Sequence, residues 1–153
     1  MGFDSFNRLE TLLDMLPKRR SHDHIEWFVA LGEAWSTFDN IAAHRLTLAR
    51  LLRTATRAEL DAMMQPEDLV GFRSLPATMT VYRGCYAHNL VGLSWTLDPD
   101  IARKFVTLNR YRHSGKPILA VGRASRARCA FISDRAEREI ICPTVRRLRT
   151  EEL

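Results

Sequence analysis

Apolar residues recur every three or four positions through the first half of the chain, and this spacing predicts a series of amphipathic helices. The predicted helices cover residues 4–16, 21–38, 41–53 and 56–64, and a short helical turn begins at residue 66. In the second helix the apolar stripe consists of Phe28, Leu31, Trp35 and Phe38, so we expect these side chains to be buried. The helical half is predicted to end at residue 76.

Residues that favour helix starts stand at the beginning of several of these segments. Ser21 or Asp23 can cap the second helix. Thr56 and Glu59 have the spacing of a capping box, in which each side chain accepts a hydrogen bond from the backbone N–H of the other. Pro66 suits the first turn of a helix. Local chemistry and apolar spacing therefore agree on where these helices begin.

The second half of the chain contains strand-like segments separated by turns. Strands are predicted at residues 79–83, 92–95, 118–121, 129–132, 137–142 and 145–148. One helix is expected between the second and third of these strands, with Asp98 as its cap and Pro99 at its first position. A run of helices followed by a run of strands indicates an α+β fold. We expect a helical half over residues 1–76 and a β-rich half over residues 77–153, together forming one compact domain.

The composition is that of a globular domain with a moderate excess of positive charge. Of the 153 residues, 46% are hydrophobic and 27% are charged. The formal net charge of +5 suits an anionic ligand or partner, such as a nucleotide, a nucleic acid or an acidic protein, but arginines on solvated helices would give the same figure. The chain has no signal-peptide pattern and no apolar run of about 20 residues, so we expect a cytoplasmic location.

Neither the cysteines nor the histidines indicate a metal site. Cys85, Cys129 and Cys142 show no CxxC spacing, which predicts neither a disulfide framework nor zinc binding. The segment His22-Asp23-His24 could ligate a metal, but no third cluster of ligands lies at a useful spacing. We therefore expect this segment to be polar surface and the protein to hold no metal.

The first candidate for chemistry is an arginine at the end of the first predicted strand. Arg83 carries a guanidinium, whose fork of donors suits phosphates and ribose-linked oxygens. Gly84 follows it and would let a ligand approach the backbone closely. The alternative is that Arg83 forms a salt bridge with an internal glutamate.

Two further motifs have polar side chains at strand spacing. Ser94 and Thr96 should point to one face of their strand, since residues two apart share a face. Glu137 and Glu139 should also project together, about 7 Å apart by the usual rise of a strand. The alternative for the glutamates is an edge strand with a solvated acidic face. The alternative for Ser94 and Thr96 is an ordinary strand, because serine and threonine are common in strands.

Taken in order, the three motifs resemble the arginine–serine–glutamate branch of the mono-ADP-ribosyltransferases, the cholera-toxin-like group. The pattern of that family is an aromatic-Arg strand, a Ser-Thr-Ser strand, and Glu-x-Glu followed by apolar residues and often a proline. The corresponding segments here are Tyr82-Arg83-Gly84, Ser94-Trp95-Thr96 and Glu137-Arg138-Glu139-Ile140-Ile141-Cys142-Pro143. The resemblance covers residues 81–147, which is under half of the chain.

The resemblance implies a fold and a reaction. The β-rich half would be a small split β-sandwich of the ADP-ribosyltransferase type, and NAD would be the substrate. Glu139 would be the catalytic carboxylate that stabilises the oxocarbenium-like ribose, and Glu137 would orient or deprotonate the acceptor. A glutamate at the position of Glu137 goes with an arginine acceptor in this family.

The resemblance also implies which residues hold NAD. Arg83 would bind the diphosphate or a ribose, Ser94 would orient Glu139 and the nicotinamide ribose, and Thr96 would support the strand. The residues expected against NAD are Arg83, Gly84, Ser94, Trp95, Thr96 and Arg110. Residues 133–136 correspond to the acceptor-recognition loop and residues 110–112 to the phosphate–nicotinamide loop, with a solvated loop as the alternative for each.

The sequence departs from the family pattern in two respects. Trp95 replaces the usual small residue in the middle of the second motif. Ser94 follows Arg83 by only eleven residues, so the helix that the family usually has between these motifs is missing or reduced. We expect the N-terminal helices to cover the nicotinamide cleft instead.

The expected function is therefore transfer of ADP-ribose from NAD to a macromolecular acceptor. Protein arginine is the favoured acceptor, and nucleic acid stays open because of the positive charge. The alternatives are an NAD glycohydrolase, with water as the acceptor, and a catalytically silent module that binds a nucleic acid or a protein. The sequence leaves the oligomeric state open. It also leaves open whether the protein is a toxin, a phage effector or a housekeeping modifier.

Overall fold

The structure is a computed structural model that describes residues 5–19, 21–38, 41–106, 115–132 and 138–153, with only the backbone described for residues 5 and 6. The first half is helical, as predicted. Its helices are α1 (Ser5–Asp14), α2 (His22–Ala34), α3 (Arg45–Thr54), α4 (Arg57–Ala62) and α5 (Pro66–Arg73). Short 3-10 turns at Trp35–Thr37 and Ile41–His44 extend α2 and precede α3.

The predicted helix starts are confirmed where a cap was expected. The Ser21 hydroxyl accepts a hydrogen bond from the backbone N–H of Asp23 at 3.3 Å, so Ser21 is the cap of α2. At the start of α4, the Glu59 carboxylate accepts from the Thr56 N–H at 2.8 Å and the Thr56 hydroxyl accepts from the Glu59 N–H at 3.1 Å. Pro66 occupies the first turn of α5. These contacts satisfy N–H groups that have no partner inside the helix.

The stripe predicted on α2 is buried. Phe28 and Leu31 on α2, and Trp35 and Phe38 just beyond it, are between 0% and 7% exposed. Their main neighbour in the helical half is α4, whose close approach is possible because residue 32 is glycine: a Cβ on Gly32 would overlap the backbone of Met63. Helical spacing thus identified the correct face of α2.

His24 is not the polar surface residue that we expected. Its side chain is buried between the end of α1 and the start of α4, and only 9% of the residue is exposed. Nε2 lies 3.0 Å from the carbonyl oxygen of Pro17, and Nδ1 lies 3.6 Å from the carboxylate of Glu59. Because a carbonyl oxygen only accepts, Nε2 is the donor in the contact with Pro17. Burial together with these partners excludes the solvated role that we assigned to it.

The second half forms an antiparallel sheet. The strands are β1 (Thr78–Cys85), β2 (Ser94–Thr96), β3 (Ile118–Ser125), β4 (Ala130–Ile132), β5 (Glu139–Ile141) and β6 (Arg146–Glu152). They pair in the order β4-β5-β2-β1-β3-β6, and every pair is antiparallel. The α+β prediction is therefore confirmed. The described strands pair in one continuous sheet of six strands, and the split into a sandwich stays a prediction.

One further helix, α6 (Pro99–Phe105), lies between β2 and β3 in the chain. It begins as predicted, with the Asp98 side chain accepting a hydrogen bond from the Asp100 N–H at 2.8 Å and Pro99 in the first turn. It packs on β1, β2 and β3. Ala102 of this helix belongs to a small buried cluster that also contains Leu119 and Val121 and is covered by Tyr82.

The main core joins the two halves of the chain. It contains Leu31 and Trp35 from the helical half and Val81 and Ile140 from the sheet, among other buried residues. The last helix of the first half ends at Arg73 and the first strand begins at Thr78. Within the described ranges, no helix is both long and apolar enough to span a bilayer.

Candidate functional site

The three motifs lie on three neighbouring strands. Tyr82 of β1 is directly opposite Thr96 of β2, and Thr96 is directly opposite Glu139 of β5. Neighbouring strands are about 4.8 Å apart, so this row brings the motifs together although they are distant in the chain. Arg83 lies close to this row because it follows Tyr82 in β1. Ser94 lies close to it because it is two residues before Thr96 in β2. The sheet topology therefore supplies the proximity that the motif order alone left open.

Glu139 is held by two donors that converge on one carboxylate oxygen. The Ser94 hydroxyl donates a hydrogen bond to Oε2 of Glu139. The indole Nε1–H of Trp35 donates to the same oxygen at 2.9 Å. Two donors on one carboxylate oxygen restrict the orientation of the side chain. The contact with Ser94 restrains Glu139 from β2 and the contact with Trp35 restrains it from the helical half, while the catalytic role assigned to Ser94 stays a prediction.

Trp35 is the residue of this site that sequence reasoning missed. It was predicted only as a core residue, and it is indeed 1% exposed. A buried indole N–H requires an acceptor, which is the general signal that such a residue contacts something polar. The partner lies 104 residues away in the chain, so no local pattern identifies it.

The backbone before Glu139 is in an unusual conformation. Arg138 has a φ of 48°, which lies in the left-handed region that non-glycine residues seldom adopt. A residue in this region is not extended, so the rule that residues two apart share a face does not apply across it. β5 begins at Glu139, two residues later than the predicted strand, and Glu137 lies outside the described residues, so the expectation that the two glutamates project together stays a prediction. Strained backbone of this kind is often found next to functional side chains.

Arg83 is bound to the backbone of the segment that connects β1 to β2. One terminal nitrogen donates to the carbonyl oxygen of Ser94 at 2.9 Å, and the other donates to that of Asn89 at 3.2 Å. Its Nε is buried and has no hydrogen-bond partner within the described residues. A Cβ on Gly92 would overlap the guanidinium, so the connecting segment passes directly over this side chain.

The surroundings of Arg83 are electrostatically strained. Burial lowers the pKa of the guanidinium, and the neighbouring Cys85 and Glu139 partly oppose that shift. Burial likewise raises the pKa of the Cys85 thiol, which favours an inert neutral thiol next to the guanidinium. Arginine keeps its charge in proteins, so the site combines a buried positive group, whose Nε has no partner within the described residues, with the nearby carboxylate of Glu139. The alternative of a salt bridge to an internal glutamate has no counterpart among the described residues.

The other residues of the second motif have structural partners. Trp95 is 6% exposed, and its Nε1–H donates to the carbonyl oxygen of Gly92 at 3.1 Å. The Thr96 hydroxyl accepts from the backbone N–H of Asp98 at 3.2 Å and so supports the turn into α6. Trp95 therefore has the core position expected from its strand, and the contacts expected between these two residues and NAD stay predictions.

Gly84 has a different reason for being glycine than the one we expected. A Cβ at this position would overlap the carbonyl oxygen of Ala102 and would lie 3.0 Å from Cγ1 of Val106. The space beside the residue is therefore filled by α6, which packs against β1, and not by a ligand on that side. The expectation that a ligand approaches the backbone there is corrected.

Replacing Gly84 by alanine is expected to lower the free energy of unfolding by about 2–3 kcal/mol, because α6 must move away from β1. Chemical denaturation measures the change. Gly71→Ala on α5 is the matched control, since no atom lies within 4 Å of a Cβ there. We expect it to raise stability by up to about 1 kcal/mol through helix propensity. Equal effects at the two positions would contradict the packing argument.

Several predicted site residues lie outside the described residues. They are Glu137, Arg110 and the rest of the two loops assigned by resemblance, residues 110–112 and 133–136. Their contacts, and hence the roles proposed for them, stay predictions. No group of three or more potential ligands that could hold a metal occurs within the described ranges.

A cleft of about 360 Å³ lies beside the β4–β5 end of the sheet. It is lined by Gly32, Glu33, Ser36, Gln65, Glu67, Asp68 and Ile132. Ile132 is directly opposite Glu139 in the pairing of β4 with β5, and Ser36 follows Trp35 in the chain. The cleft thus borders the elements that hold Glu139, and three of its side chains are acidic.

Comparison with known proteins identifies no relative for this chain. No protein-family model, no curated protein and no solved structure matches it. What can be concluded about the site therefore comes from its own geometry: an oriented carboxylate, a buried arginine and the serine that links them.

Proposed function

We propose that the protein is an NAD-dependent mono-ADP-ribosyltransferase, with protein arginine as the favoured acceptor. The observation that carries this proposal is the continuous link from Arg83 through Ser94 to Glu139. The Ser94 carbonyl accepts from Arg83 and the Ser94 hydroxyl donates to Glu139. A positive group, a hydroxyl and a carboxylate so joined are the groups that cleavage of a charged dinucleotide requires.

The proposed chemistry assigns one task to each group. Cleavage of the nicotinamide–ribose bond passes through an oxocarbenium-like ribose, as glycoside hydrolysis does. The Glu139 carboxylate stabilises the developing positive charge. This stabilisation is largest when the carboxylate is already oriented before the reaction. Ser94 and Trp35 provide that orientation from two sides. Arg83, which donates to the Ser94 and Asn89 carbonyl oxygens, supplies positive charge near Glu139, and the proposal assigns that charge to the diphosphate or a ribose oxygen.

The acidic cleft favours a cationic acceptor. Glu33, Glu67 and Asp68 line it, and it borders Ile132, the residue opposite Glu139. Carboxylates in this position attract a guanidinium or an ammonium group and repel the phosphates of a nucleic acid. The cleft therefore supports protein arginine over nucleic acid as the acceptor at this end of the sheet.

The proposal is tested with NAD labelled on its adenylate group. Purified protein is incubated with labelled NAD and with polyarginine, a protein mixture or an oligonucleotide, and both released nicotinamide and label in the macromolecule are measured. Label in polyarginine supports the proposal. Nicotinamide release without labelled acceptor would identify an NAD glycohydrolase instead. Neither product, together with no NAD-dependent rise in the unfolding temperature, would favour a catalytically silent module.

Trp35→Phe is expected to lower kcat for ADP-ribose transfer about tenfold or more while KM for NAD changes little. A hydrogen bond to a charged group contributes about 1.5–3 kcal/mol, and its loss leaves Glu139 less well oriented. Steady-state kinetics at varied NAD measures both constants.

Trp27→Phe is the matched control for this substitution. Trp27 is also buried, and its Nε1–H donates to the Leu12 carbonyl at 2.7 Å, far from any motif residue in the chain. We expect it to reduce stability about as much as Trp35→Phe does without changing kcat. Equal losses of kcat in the two variants would mean that Trp35 acts through the fold alone.

A further inference from the structure

The last strand, β6, is unusual because every one of its residues is exposed. It lies at the edge of the sheet and pairs only with β3 in the described structure. Its first half is basic, with Arg146, Arg147 and Arg149, and Arg123 of β3 is directly opposite Arg146. Like charges in directly opposite positions destabilise a sheet, so the fold itself gains nothing from this pair.

An irregularity in the pairing brings three of these arginines to one face. Arg146 is opposite Arg123 and Arg149 is opposite Val121, with the register shift falling between Val121 and Gly122. Residues directly opposite each other share a face, and so do Val121 and Arg123, which are two apart. Arg123, Arg146 and Arg149 therefore lie on the same face. A regular strand would have directed Arg146 and Arg149 to opposite faces; bulges commonly redirect side chains in this way.

The positive charge on this face is largely unneutralised. Arg149 pairs with Glu151 at 3.1 Å, but the contact is exposed and such pairs contribute little. Neither Arg123 nor Arg146 forms an ion pair with a carboxylate in the described part of the chain. Of the two acidic residues of β6, Glu151 is opposite Leu119 and shares this face, so it offsets part of the charge, whereas Glu152 pairs with Lys116 at 3.6 Å.

Protection of the sheet edge does not account for the whole cluster. Charged side chains on an edge strand discourage pairing with other chains, which would explain arginines on β6. Arg123, however, belongs to β3, which is paired on both sides and is not an edge. An arginine there adds to the charge of the face without protecting any edge.

We propose that this arginine face, Arg123, Arg146 and Arg149, binds the phosphate backbone of a nucleic acid. Guanidinium forks match phosphate oxygens. Arg146 and Arg149 are opposite Arg123 and Val121, which are about 7 Å apart along β3, and this spacing suits an anion that repeats along a chain. An acidic peptide that added to the β6 edge would alternate its side chains between two faces, so half of its carboxylates would miss this cluster. The inference is independent of the catalytic proposal, because none of these residues touches Glu139 or Arg83.

The test is binding of labelled oligonucleotides of about 20 nucleotides, measured by fluorescence anisotropy between about 50 and 200 mM salt. The full chain is compared with a variant carrying Arg123→Gln, Arg146→Gln and Arg149→Gln. We expect at least a tenfold loss of affinity and a salt slope reduced by about 2–3, since each phosphate contact contributes about 0.7–0.9 to that slope. The unfolding temperature should stay the same or rise, because the repulsion between Arg123 and Arg146 is removed.

The matched control removes the same charge elsewhere. Arg19, Arg50 and Arg53 are exposed residues of the helical half, and their joint replacement by glutamine lowers the net charge equally. The control should keep most of the affinity. The proposal would be overturned if the two variants lost equal affinity or if the unmodified chain did not bind the oligonucleotide. It would also be overturned if polyglutamate of similar length bound as tightly as the oligonucleotide. If a variant that no longer binds oligonucleotide still cleaved NAD, the proposed activity would be independent of nucleic-acid binding.

Discussion

Replacing Glu139 by glutamine is expected to reduce transfer of ADP-ribose by about 10²–10³-fold, the range seen when one electrostatic contribution to a transition state is removed. The amide keeps the shape of the side chain and an oxygen that can accept from Ser94 and Trp35, so both hydrogen bonds can persist. What is lost is the negative charge beside the ribose. The loss should therefore appear in kcat and leave the unfolding temperature nearly unchanged.

Labelled transfer and nicotinamide release measure this effect, and thermal unfolding verifies the fold. Glu26→Gln is the control, because Glu26 is an exposed glutamate of α2 that contributes nothing to the site. It should have full activity. If Glu139→Gln were as active as Glu26→Gln, the carboxylate would have no catalytic task and the assignment of the family's role to this residue would be wrong.

The parts of the fold that sequence alone predicts are those determined by neighbouring residues. The capping box of Thr56 and Glu59 involves residues three apart, and the Asp98 cap with Pro99 involves adjacent ones. Each is confirmed because the hydrogen bonds that define it form within a single turn. The buried stripe of α2 is confirmed for the same reason, since helical spacing alone decides which face turns inward.

The candidate site was only partly predictable because its contacts are distant in the chain. The motif order identified Arg83, Ser94 and Glu139, but the link between the first two runs through a backbone carbonyl, which no side-chain pattern reveals. The donor from Trp35 comes from the other half of the molecule. Arg138 shows the limit of strand periodicity, because a residue in the left-handed region is not extended and the described strand begins only after it, at Glu139.

Gly84 shows a related limit of sequence reasoning. A glycine after an arginine is compatible with a ligand or with a packed helix, because both require a residue without a Cβ. The sequence does not reveal which group lies beside the glycine. In the structure that group is the carbonyl of Ala102. Close approaches between distant elements are decided by tertiary packing.

Replacing Glu59 by alanine is expected to lower the free energy of unfolding by about 2–4 kcal/mol, because a helix start loses its cap, at about 1 kcal/mol, and a buried polar group loses its neighbour, at about 1–3 kcal/mol. Glu59 is 2% exposed and serves two groups at once: it accepts from the Thr56 N–H at 2.8 Å and lies 3.6 Å from Nδ1 of His24. Its loss leaves a helix start without its reciprocal cap and a buried imidazole without its acid. Chemical denaturation at neutral pH measures the change.

The chain contains a matched control for burial, since a second histidine–glutamate pair lies at the surface. Nε2 of His44 is 3.4 Å from the carboxylate of Glu10, whose side chain is 59% exposed. Glu10→Ala should cost less than about 1 kcal/mol, because solvent screens an exposed pair. Glu59→Gln separates the two tasks of Glu59, since the amide oxygen still accepts from Thr56 but carries no charge for His24. If Glu59→Ala cost no more than Glu10→Ala, burial would not be the source of the stabilisation, and the position of His24 would depend on the Pro17 carbonyl alone.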